Sequence, residues 1–343
     1  MSPINPANTH QVREIEHPVP LLTCHYNSTG RFVFAGAQDS HLQRIDVATG
    51  EKTLLEGHES WVCTIAKAPD LLFSGDYTGR VIAWSVSEKE VVKKWSIEAH
   101  SQVVRSISVS PDGKWLATGG RDGKARLWSA DTGERLREFS GHSGQIFATI
   151  FHPDGIHLVS AEREGNKLFQ WDLNTGKKVR EFDAADMSAY RRDEDIEWGG
   201  ARGLAFDASG TTLACCGRHQ YAGPATVLLY DWQSGKQTEK LVSEFKGIFY
   251  TLQFHPQGFL IAAAGDITVG ELWFWKPGQE KALANIKTSG PSLSLDLHPD
   301  GQLLAVAQSQ GGKSKPENGS LVFYDMRPND KTEKQVTEAT AKK

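Results

Sequence analysis

Three side chains in the first half of the chain carry the functional groups of a hydrolytic triad. Thr118, His100 and Asp122 supply a hydroxyl, an imidazole and a carboxylate, which together can activate a nucleophile. The same order of a His, a hydroxyl and a later Trp occurs in three sets: His58, Ser74 and Trp84; His100, Thr118 and Trp128; His142, Ser160 and Trp171. A catalytic centre is needed once, whereas a buried polar network that fixes a repeating unit is needed in every unit. We therefore predict that His100, Thr118, Asp122 and Trp128 form a structural network, and we predict no catalytic residues.

The carboxylate is the least regular member of this pattern. At the position of Asp122, the preceding set has Thr78 and the following set has Glu164. The alignment therefore assigns these two residues to the acidic position of their networks.

The histidines and glycines do not form the motifs of a metal or nucleotide site. His152, His255 and His298 occupy the same turn of three different repeats, which separates them in space. No histidine pair has i, i+4 spacing with a carboxylate, no Cys/His cluster has zinc spacing, and no GxxxxGK[ST] loop occurs. The sequence therefore predicts no metal, no cofactor and no enzymatic activity.

The composition limits the classes of partner. The 343 residues include Lys+Arg 38 and Asp+Glu 42, which gives a net charge of −4. This balance provides no strong field for nucleic acid or an anionic membrane, so a nucleic-acid partner is disfavoured. No apolar stretch approaches the roughly 18 residues of a membrane span, and the opening MSPINPANTH lacks the features of a secretory signal. We expect a cytoplasmic protein with no membrane partner.

The four cysteines are predicted to be free. Cys24, Cys63, Cys215 and Cys216 lie in apolar runs, and none belongs to a CxxC pair. A cysteine in such a run acts as a small buried apolar residue, so neither a disulfide framework nor a zinc ribbon is expected.

Most of the chain repeats one pattern of short strands and turns. Each unit has an alternating apolar run, a turn, a run of small apolar residues, a second turn, and a run that ends in a large residue. The first turn recurs at Ser110–Gly113, His152–Gly155, His255–Gly258 and His298–Gly301. The residues that end the third run are Ile45, Trp84, Trp128, Trp171, Tyr230, Trp275 and Tyr324. Seven units of about four strands each predict a β-propeller.

These residues resemble those of the WD-repeat propellers. Gly57-His58, Ala99-His100 and Gly141-His142 are similar to the family's Gly-His pair, and Trp171-Asp172 is similar to its Trp-Asp pair. The resemblance implies an all-β, seven-bladed WD-repeat β-propeller with four-stranded antiparallel blades, the last completed by the N-terminal strand. It also implies the structural hydrogen-bond network assigned above. The expected organisation is a leader at 1–9, a single propeller at 10–328 and a polar, disordered tail at 329–343.

Three insertions interrupt the repeat at 183–200, 217–226 and 308–320. In a propeller, the loop between the second and third strands of a blade emerges on the same face as the connection between blades. All three insertions are therefore expected on one face. Insertions that collect on one face are typical of a binding face, and neutral loop growth is the alternative explanation.

Alignment of the repeats places nine residues around the central channel on that face. They are Trp61, Tyr77, Arg105, Arg121, Gln145, Phe147, Arg163, Arg202 and Tyr250. In WD-repeat proteins these positions contact partner peptides, and Trp, Tyr and Arg dominate interface energetics. Four arginines favour an acidic or phosphorylated segment, since the guanidinium fork matches carboxylate and phosphate. The alternative is that these arginines pair with acidic residues of the inserted loops.

The function predicted from the sequence is that of a non-catalytic protein–protein interaction scaffold. It would bind a protein partner through its loop-decorated face. The alternative is a propeller that binds a small ligand or catalyses a reaction in the central channel. That alternative needs carboxylates or histidines from several blades at the channel mouth, where the alignment places arginines and aromatic residues.

Overall fold

The computed structural model describes residues 4–164, 166–191, 196–197, 199–219, 223–310 and 318–328. These residues form strands and turns, with two short 3-10 helices at Pro6–Asn8 and Ala185–Met187. No helix within these ranges has the length and apolar character needed to cross a bilayer. The predicted all-β class is confirmed.

Four antiparallel strands that follow one another along the chain make up each of the first three blades. Blade 1 contains β2 (Leu21–Tyr26), β3 (Phe32–Ala37), β4 (Leu42–Asp46) and β5 (Lys52–Leu55). Blade 2 contains β6 (Val62–Lys67), β7 (Leu71–Asp76), β8 (Arg80–Val86) and β9 (Val91–Glu98). Blade 3 contains β10 (Val104–Val109), β11 (Trp115–Gly120), β12 (Ala125–Ser129) and β13 (Arg135–Phe139).

Blades 4 to 6 repeat this order, and a two-stranded hairpin separates blades 4 and 5. Blade 4 contains β14 (Ile146–Phe151), β15 (His157–Glu162), β16 (Lys167–Asp172) and β17 (Lys178–Asp183). The hairpin pairs β18 (Tyr190–Arg191) with β19 (Ile196–Glu197). Blade 5 contains β20 (Gly203–Phe206), β21 (Thr212–Arg218), β22 (Ala225–Asp231) and β23 (Gln237–Val242). Blade 6 contains β24 (Ile248–Phe254), β25 (Leu260–Gly265), β26 (Gly270–Trp275) and β27 (Ala284–Thr288).

The seventh blade joins the two ends of the propeller. It contains β28 (Ser292–Leu297), β29 (Leu303–Gln310) and β30 (Asn318–Asp325), and its outer strand is β1 (His10–His17). The predicted seven-bladed propeller, with its last blade completed by the N-terminal strand, is therefore confirmed. The predicted tail at 329–343 and residues 1–3 of the predicted leader lie outside the described residues.

The recurring turn residues close the first hairpin of their blades. Gly113 and Gly155 have φ of +73° and +71°, values in the left-handed region that glycine adopts without a steric penalty. In each case a Pro occupies an earlier position of the turn and presets its own φ. These turns place the second strand beside the first in the register that the repeat requires.

The core lies between blades rather than within them. Among the described residues, each pair of neighbouring blades shares one cluster of buried apolar side chains, including the pair formed by blades 7 and 1. The residues that end the third strands belong to these clusters: Ile45, Trp84, Trp128, Trp171, Tyr230, Trp275 and Tyr324. A blade cannot bury both of its faces alone, so stacking around a ring buries them.

Polar side chains connect the innermost strands, which do not pair with one another through the backbone. Ser106 on blade 3 accepts a hydrogen bond from the backbone N–H of Thr149 on blade 4 at 2.8 Å. At the junction of blades 7 and 1, Asp296 accepts one from the backbone N–H of Tyr26 at 2.8 Å. The ammonium of Lys67, on blade 2, also lies 2.8 Å from the Asp296 carboxylate.

This buried carboxylate links ring closure to pH. Burial alone would raise the pKa of Asp296, but His25 and Lys67 lower it to about 2. The Asp296 carboxylate is therefore protonated more readily in the unfolded chain, where its pKa is near 3.8, than in the folded protein. The stabilisation is therefore complete above about pH 4 and is lost as the pH falls towards 2.

We predict that Asp296→Asn lowers the free energy of unfolding at pH 7 by an amount on the order of 2 kcal/mol. The difference from wild type should shrink towards zero between about pH 4 and pH 2, since the wild-type carboxyl becomes neutral in that range. Urea unfolding as a function of pH measures this difference, with the exposed Asp70→Asn as control. A difference that stays constant down to pH 2 would contradict the prediction.

Candidate functional site

The residues of the suspected triad form a continuous hydrogen-bonded chain in blade 3. The indole Nε1 of Trp128 donates to Thr118 Oγ1 at 2.9 Å, and that hydroxyl lies 2.7 Å from His100 Nε2. His100 Nδ1 lies 2.9 Å from a carboxylate oxygen of Asp122. One arrangement of protons satisfies every group: Trp donates to Thr, Thr to His, and His to Asp. Thr118 is completely buried, so its hydroxyl is inaccessible to a substrate in this structure.

Blades 2 and 4 use a different carboxylate from the one that the alignment assigned. His58 Nδ1 lies 2.8 Å from Asp76, not beside Thr78. His142 Nδ1 lies 3.1 Å from Glu162, not beside Glu164. The assignments of Thr78 and Glu164 were therefore wrong.

The reason for this shift is the residue that ends the second strand. Asp76 and Glu162 are the last residues of β7 and β15, and the matching residue of β11 is Gly120. A Cβ atom at Gly120 would lie 2.2 Å from His100 Nδ1. Blade 3 thus has no room for a side chain there, and its carboxylate comes from Asp122 in the turn instead.

We predict that Asp76→Ala lowers the free energy of unfolding by about 3–5 kcal/mol, because it leaves buried donors of His58 and of the following turn unpaired. Thr78→Ala should cost about 1 kcal/mol, since Thr78 contributes one hydroxyl hydrogen bond to Asp76. Urea unfolding of both variants measures the two values. Equal losses in the two variants would contradict the assignment of the carboxylate to Asp76.

The innermost strands of all seven blades line a central channel of about 490 Å³. At the end where these strands begin, the channel continues into a cavity of about 270 Å³, which we call the mouth. The mouth is lined by Leu22, Trp61, Cys63, Tyr77, Arg105, Phe147, Arg202, Tyr250 and Leu293. Six of the nine residues that were aligned around the channel thus line one cavity. Lys67 and Asp296 line the channel further along their strands, towards the opposite face.

Three arginines surround one aromatic ring in the mouth. The guanidinium carbons of Arg202, Arg105 and Arg163 lie 4.3, 5.4 and 5.9 Å from the ring centre of Phe147. Arginines at such distances from an aromatic ring gain cation–π attraction, which offsets part of the repulsion between their charges. Arg163 is therefore a seventh residue of the nine that lies beside the mouth, next to Phe147.

The electrostatics of this cluster favour an anion. Burial lowers the pKa of Arg105, and the like charges of Arg121 and Arg163 lower it further. Burial also lowers the pKa of Arg202 to about 10, with Arg105 and Arg163 contributing. The buried Nε of Arg105 has no hydrogen-bond partner among the described residues. An anionic group in the mouth would supply an acceptor and reverse these shifts.

Arg121 and Gln145 lie in an adjacent groove rather than in the mouth. Glu164 occupies the centre of this groove: it accepts a hydrogen bond from the backbone N–H of Gln145 at 2.8 Å and lies 2.9 Å from Arg163 Nε. Among the described residues, Arg163 thus has an acidic partner, Glu164, which is its neighbour in the blade 4 turn.

The described parts of the inserted segments lie on the same face as the mouth. The connection from blade 4 to blade 5 meets the β21–β22 loop, where His219 Nδ1 lies 2.6 Å from the backbone oxygen of Asp186. The ammonium of Lys240 lies 2.7 Å from the Asp186 carboxylate and adds a third element to this contact. Parts of all three insertions, at 192–195, 198, 220–222 and 311–317, lie outside the described residues.

Comparison with known proteins agrees with this architecture. The sequence model of the family described as WD domain, G-beta repeat matches residues 91–129 and 133–172. Each matched range runs from the outer strand of one blade through the third strand of the next. Two of the seven blades therefore match WD repeats, and the chain resembles the WD-repeat propellers.

The chain is similar to several individual proteins over part of its own length and part of theirs. The F-box-like/WD repeat-containing protein TBL1X of Mus musculus is 29% identical over 50% of this chain and 32% of its own length. The small ribosomal subunit protein RACK1y of Oryza sativa subsp. japonica is 28% identical over 46% of this chain and 45% of its own. The guanine nucleotide-binding protein subunit beta of Arabidopsis thaliana is 26% identical over 63% and 58%. The match thus spans about a third of the first of these relatives.

The propeller also exposes large apolar side chains on the mouth face, and the two in blade 6 were not among the residues predicted from the sequence. Ile267 and Val269, in the β25–β26 turn of blade 6, are 79% and 49% exposed. Trp61 and Tyr77 are 42% and 40% exposed, and their rings pack edge to face with centroids 5.3 Å apart. The sequence does indicate these blade 6 residues, because the segment Asp266–Gly270 has apolar residues in the turn where blade 3 has Arg121–Lys124.

Proposed function

We propose that this propeller is a non-catalytic scaffold that binds a protein partner through its mouth face. The partner supplies an acidic or phosphorylated segment, and its anionic group enters the mouth beside Arg105. The exposed Trp61–Tyr77 pair provides the adjoining apolar contact. The observation that carries the proposal is the packing of three guanidinium groups around Phe147, with a buried Arg105 Nε that has no acceptor among the described residues.

The shape of the mouth supports a peptide segment as the ligand. Binding energy at protein interfaces is concentrated in a few buried aromatic and arginine anchors, which this cavity offers together. Arginine forms paired hydrogen bonds with carboxylate and phosphate, which gives both affinity and orientation. The polar networks of blades 2 to 4 hold the surrounding turns, so little ordering cost is expected on binding.

The names of two relatives support a role in assemblies. One relative is named as a protein of the small ribosomal subunit and another as the beta subunit of a guanine nucleotide-binding protein. Both names describe components of larger complexes. Members of the family are generally non-catalytic scaffolds, and we extend that role to this chain. The four free cysteines are consistent with the cytoplasmic location that we include in the proposal.

The proposal is tested with a set of immobilised peptides. Each peptide is made in three versions that differ at one position, which carries phosphoserine, glutamate or uncharged serine. We predict that the charged versions bind at least tenfold more tightly, because each carries a group that can accept from Arg105. The double variant Arg105→Gln/Arg163→Gln should lose this preference. Binding should also weaken as salt is added, since the attraction between separated charges is screened.

A matched control removes two positive charges elsewhere. Arg135 and Lys114 have side chains 58% and 76% exposed, and both lie away from the mouth. Arg135→Gln/Lys114→Gln should bind the charged peptides as wild type does. Equal binding of charged and uncharged peptides, or equal losses in the two double variants, would refute the proposed function.

A further inference from the structure

Two histidines and an aspartate meet on the face opposite the mouth, in the first turn of blade 4. One potential ligand atom from each of His152, Asp154 and His157 lies within 4.8 Å of the other two. The Asp154 Oδ2 atom is 2.9 Å from His152 Nδ1 and 2.7 Å from His157 Nδ1. His152 is buried, whereas the side chains of Asp154 and His157 are 30% and 20% exposed, which leaves one side of the cluster open to solvent.

Hairpin geometry explains why the spacing was overlooked. His152 and His157 flank a four-residue turn, and the backbone N–H of His152 donates to the oxygen of His157 at 2.9 Å. Their side chains therefore start from directly opposed positions, although the spacing is i, i+5 rather than i, i+4. The prediction of no metal site was based on i, i+4 spacing, which does not apply to ligands that a hairpin brings together.

The hydrogen bonds around His152 fix its ring in the form that a metal ligand needs. Its Nε2 lies 2.9 Å from the backbone oxygen of Gly210 in blade 5, and that contact requires a proton on Nε2. Nδ1 is then the atom with the lone pair, and it faces the Asp154 carboxylate oxygen at 2.9 Å. A ring N–H donated to a backbone carbonyl is the outer-shell arrangement that orients metal-bound histidines. The Asp154 N–H also points at Nδ1, at 3.1 Å, so a bound cation would replace that one hydrogen bond.

The second carboxylate oxygen leaves the turn intact. Asp154 Oδ1 accepts hydrogen bonds from the backbone N–H groups of Ile156 and His157 at 2.8 and 3.1 Å. Oδ2 is therefore the oxygen directed at the two imidazoles. Nitrogen and oxygen ligands about 2.0–2.2 Å from a first-row divalent ion are about 2.8–3.1 Å apart in octahedral geometry and about 3.3–3.6 Å apart in the tetrahedral geometry usual for zinc. The two nitrogen–oxygen distances, 2.9 and 2.7 Å, are close to the octahedral spacing, so a tetrahedral zinc ion would require the ligand atoms to move apart by about 0.4–0.9 Å.

Blades 6 and 7 have the same His-Pro turn without the full set of ligands. In blade 7, His298 Nδ1 lies 2.8 Å from Asp300, but the residue opposite is Leu303, whose backbone oxygen accepts from the His298 N–H at 2.9 Å. In blade 6, the position of Asp154 is occupied by Gln257. The His–Asp contact is therefore a property of the turn, and His157 is what completes a third ligand in blade 4.

We propose that His152, Asp154 and His157 form a binding site for a divalent transition metal, with Zn²⁺ as the ion to test. Two imidazole nitrogens and one carboxylate suit zinc and its first-row neighbours, and a hard ion such as Mg²⁺ prefers oxygen ligands. Asp172 pairs with His157 across β15 and β16 and adds a negative charge nearby. Because His152 donates to Gly210, an ion here would tie blade 4 to blade 5.

Isothermal titration of Zn²⁺ into the full chain tests the site. The decisive variants are His157→Leu, which copies the residue of blade 7, and Asp154→Asn, which retains an oxygen for the turn. Each should weaken this binding event at least tenfold, because loss of an outer-shell partner alone costs about 10–100-fold. Asp300→Asn in blade 7 removes a similar carboxylate from a two-ligand turn and should leave binding unchanged. Thermal unfolding should show Zn²⁺ raising the Tm of wild type and Asp300→Asn only.

Two results would overturn the proposed metal site. Wild type and Asp154→Asn binding Zn²⁺ with equal stoichiometry and affinity would overturn it, even if His157→Leu failed to fold. A loss of binding in Asp300→Asn but not in Asp154→Asn would also overturn it. The site lies on the opposite face from the mouth, so its failure would leave the peptide experiments unaffected.

Discussion

Backbone pairing between β1 and β30 joins the beginning of the propeller to its last blade. The register runs from His10 opposite Asp325 to His17 opposite Gly319. Among the described strands, neighbouring blades elsewhere contact each other through side chains, because their innermost strands do not pair through the backbone. The apolar cluster between blades 7 and 1 includes Leu21 and Phe323, so the strand pairing and the last inter-blade contact depend on each other. A ring closed in this way fixes the distances across the channel, including those at the mouth.

The buried polar networks transfer this rigidity to the rim. In blade 3, the chain from Trp128 through Thr118 and His100 reaches Asp122, one residue beyond Arg121. The backbone N–H of Arg121 donates to the oxygen of Val103 at 2.9 Å, and Arg163 makes the matching contact with Gln145. Arg121, in the adjacent groove, and Arg163, beside the mouth, are thus attached to turns next to buried networks. The triad-like residues thus have a structural role in blade 3.

The sequence predicted the fold because the signals for it repeat. The Pro and Gly of the first turns and the residue that ends each third strand fixed the number of blades, and an unpaired β30 edge required a strand such as β1. Details that depend on a shift of one or two residues were missed. Asp76 and Glu162 could not be separated from Thr78 and Glu164, because the choice depends on the space around one imidazole. The pairing of His152 with His157 depends on which residues a turn places opposite each other.

The composition of the mouth could be predicted only in part. Alignment brought Arg105, Phe147 and Arg202 to the channel, since each follows the same point of its repeat. It could not show that Arg121 lies in an adjacent groove, because that depends on where a side chain points. The exposure of Ile267 depends on a turn that departs from the repeat, and periodicity carries no information about such a turn.

Site-specific photo-crosslinking in cells tests most directly whether the mouth face receives the partner. A photoreactive amino acid replaces either Tyr77, 40% exposed beside the mouth, or Ile156, 45% exposed in a turn on the opposite face. We predict that the photoreactive residue at position 77 crosslinks to a discrete protein partner, and that Arg105→Gln/Arg163→Gln removes this crosslinked product. The photoreactive residue at position 156 should give no crosslinked product. A partner captured from Ile156 and not from Tyr77 would contradict it.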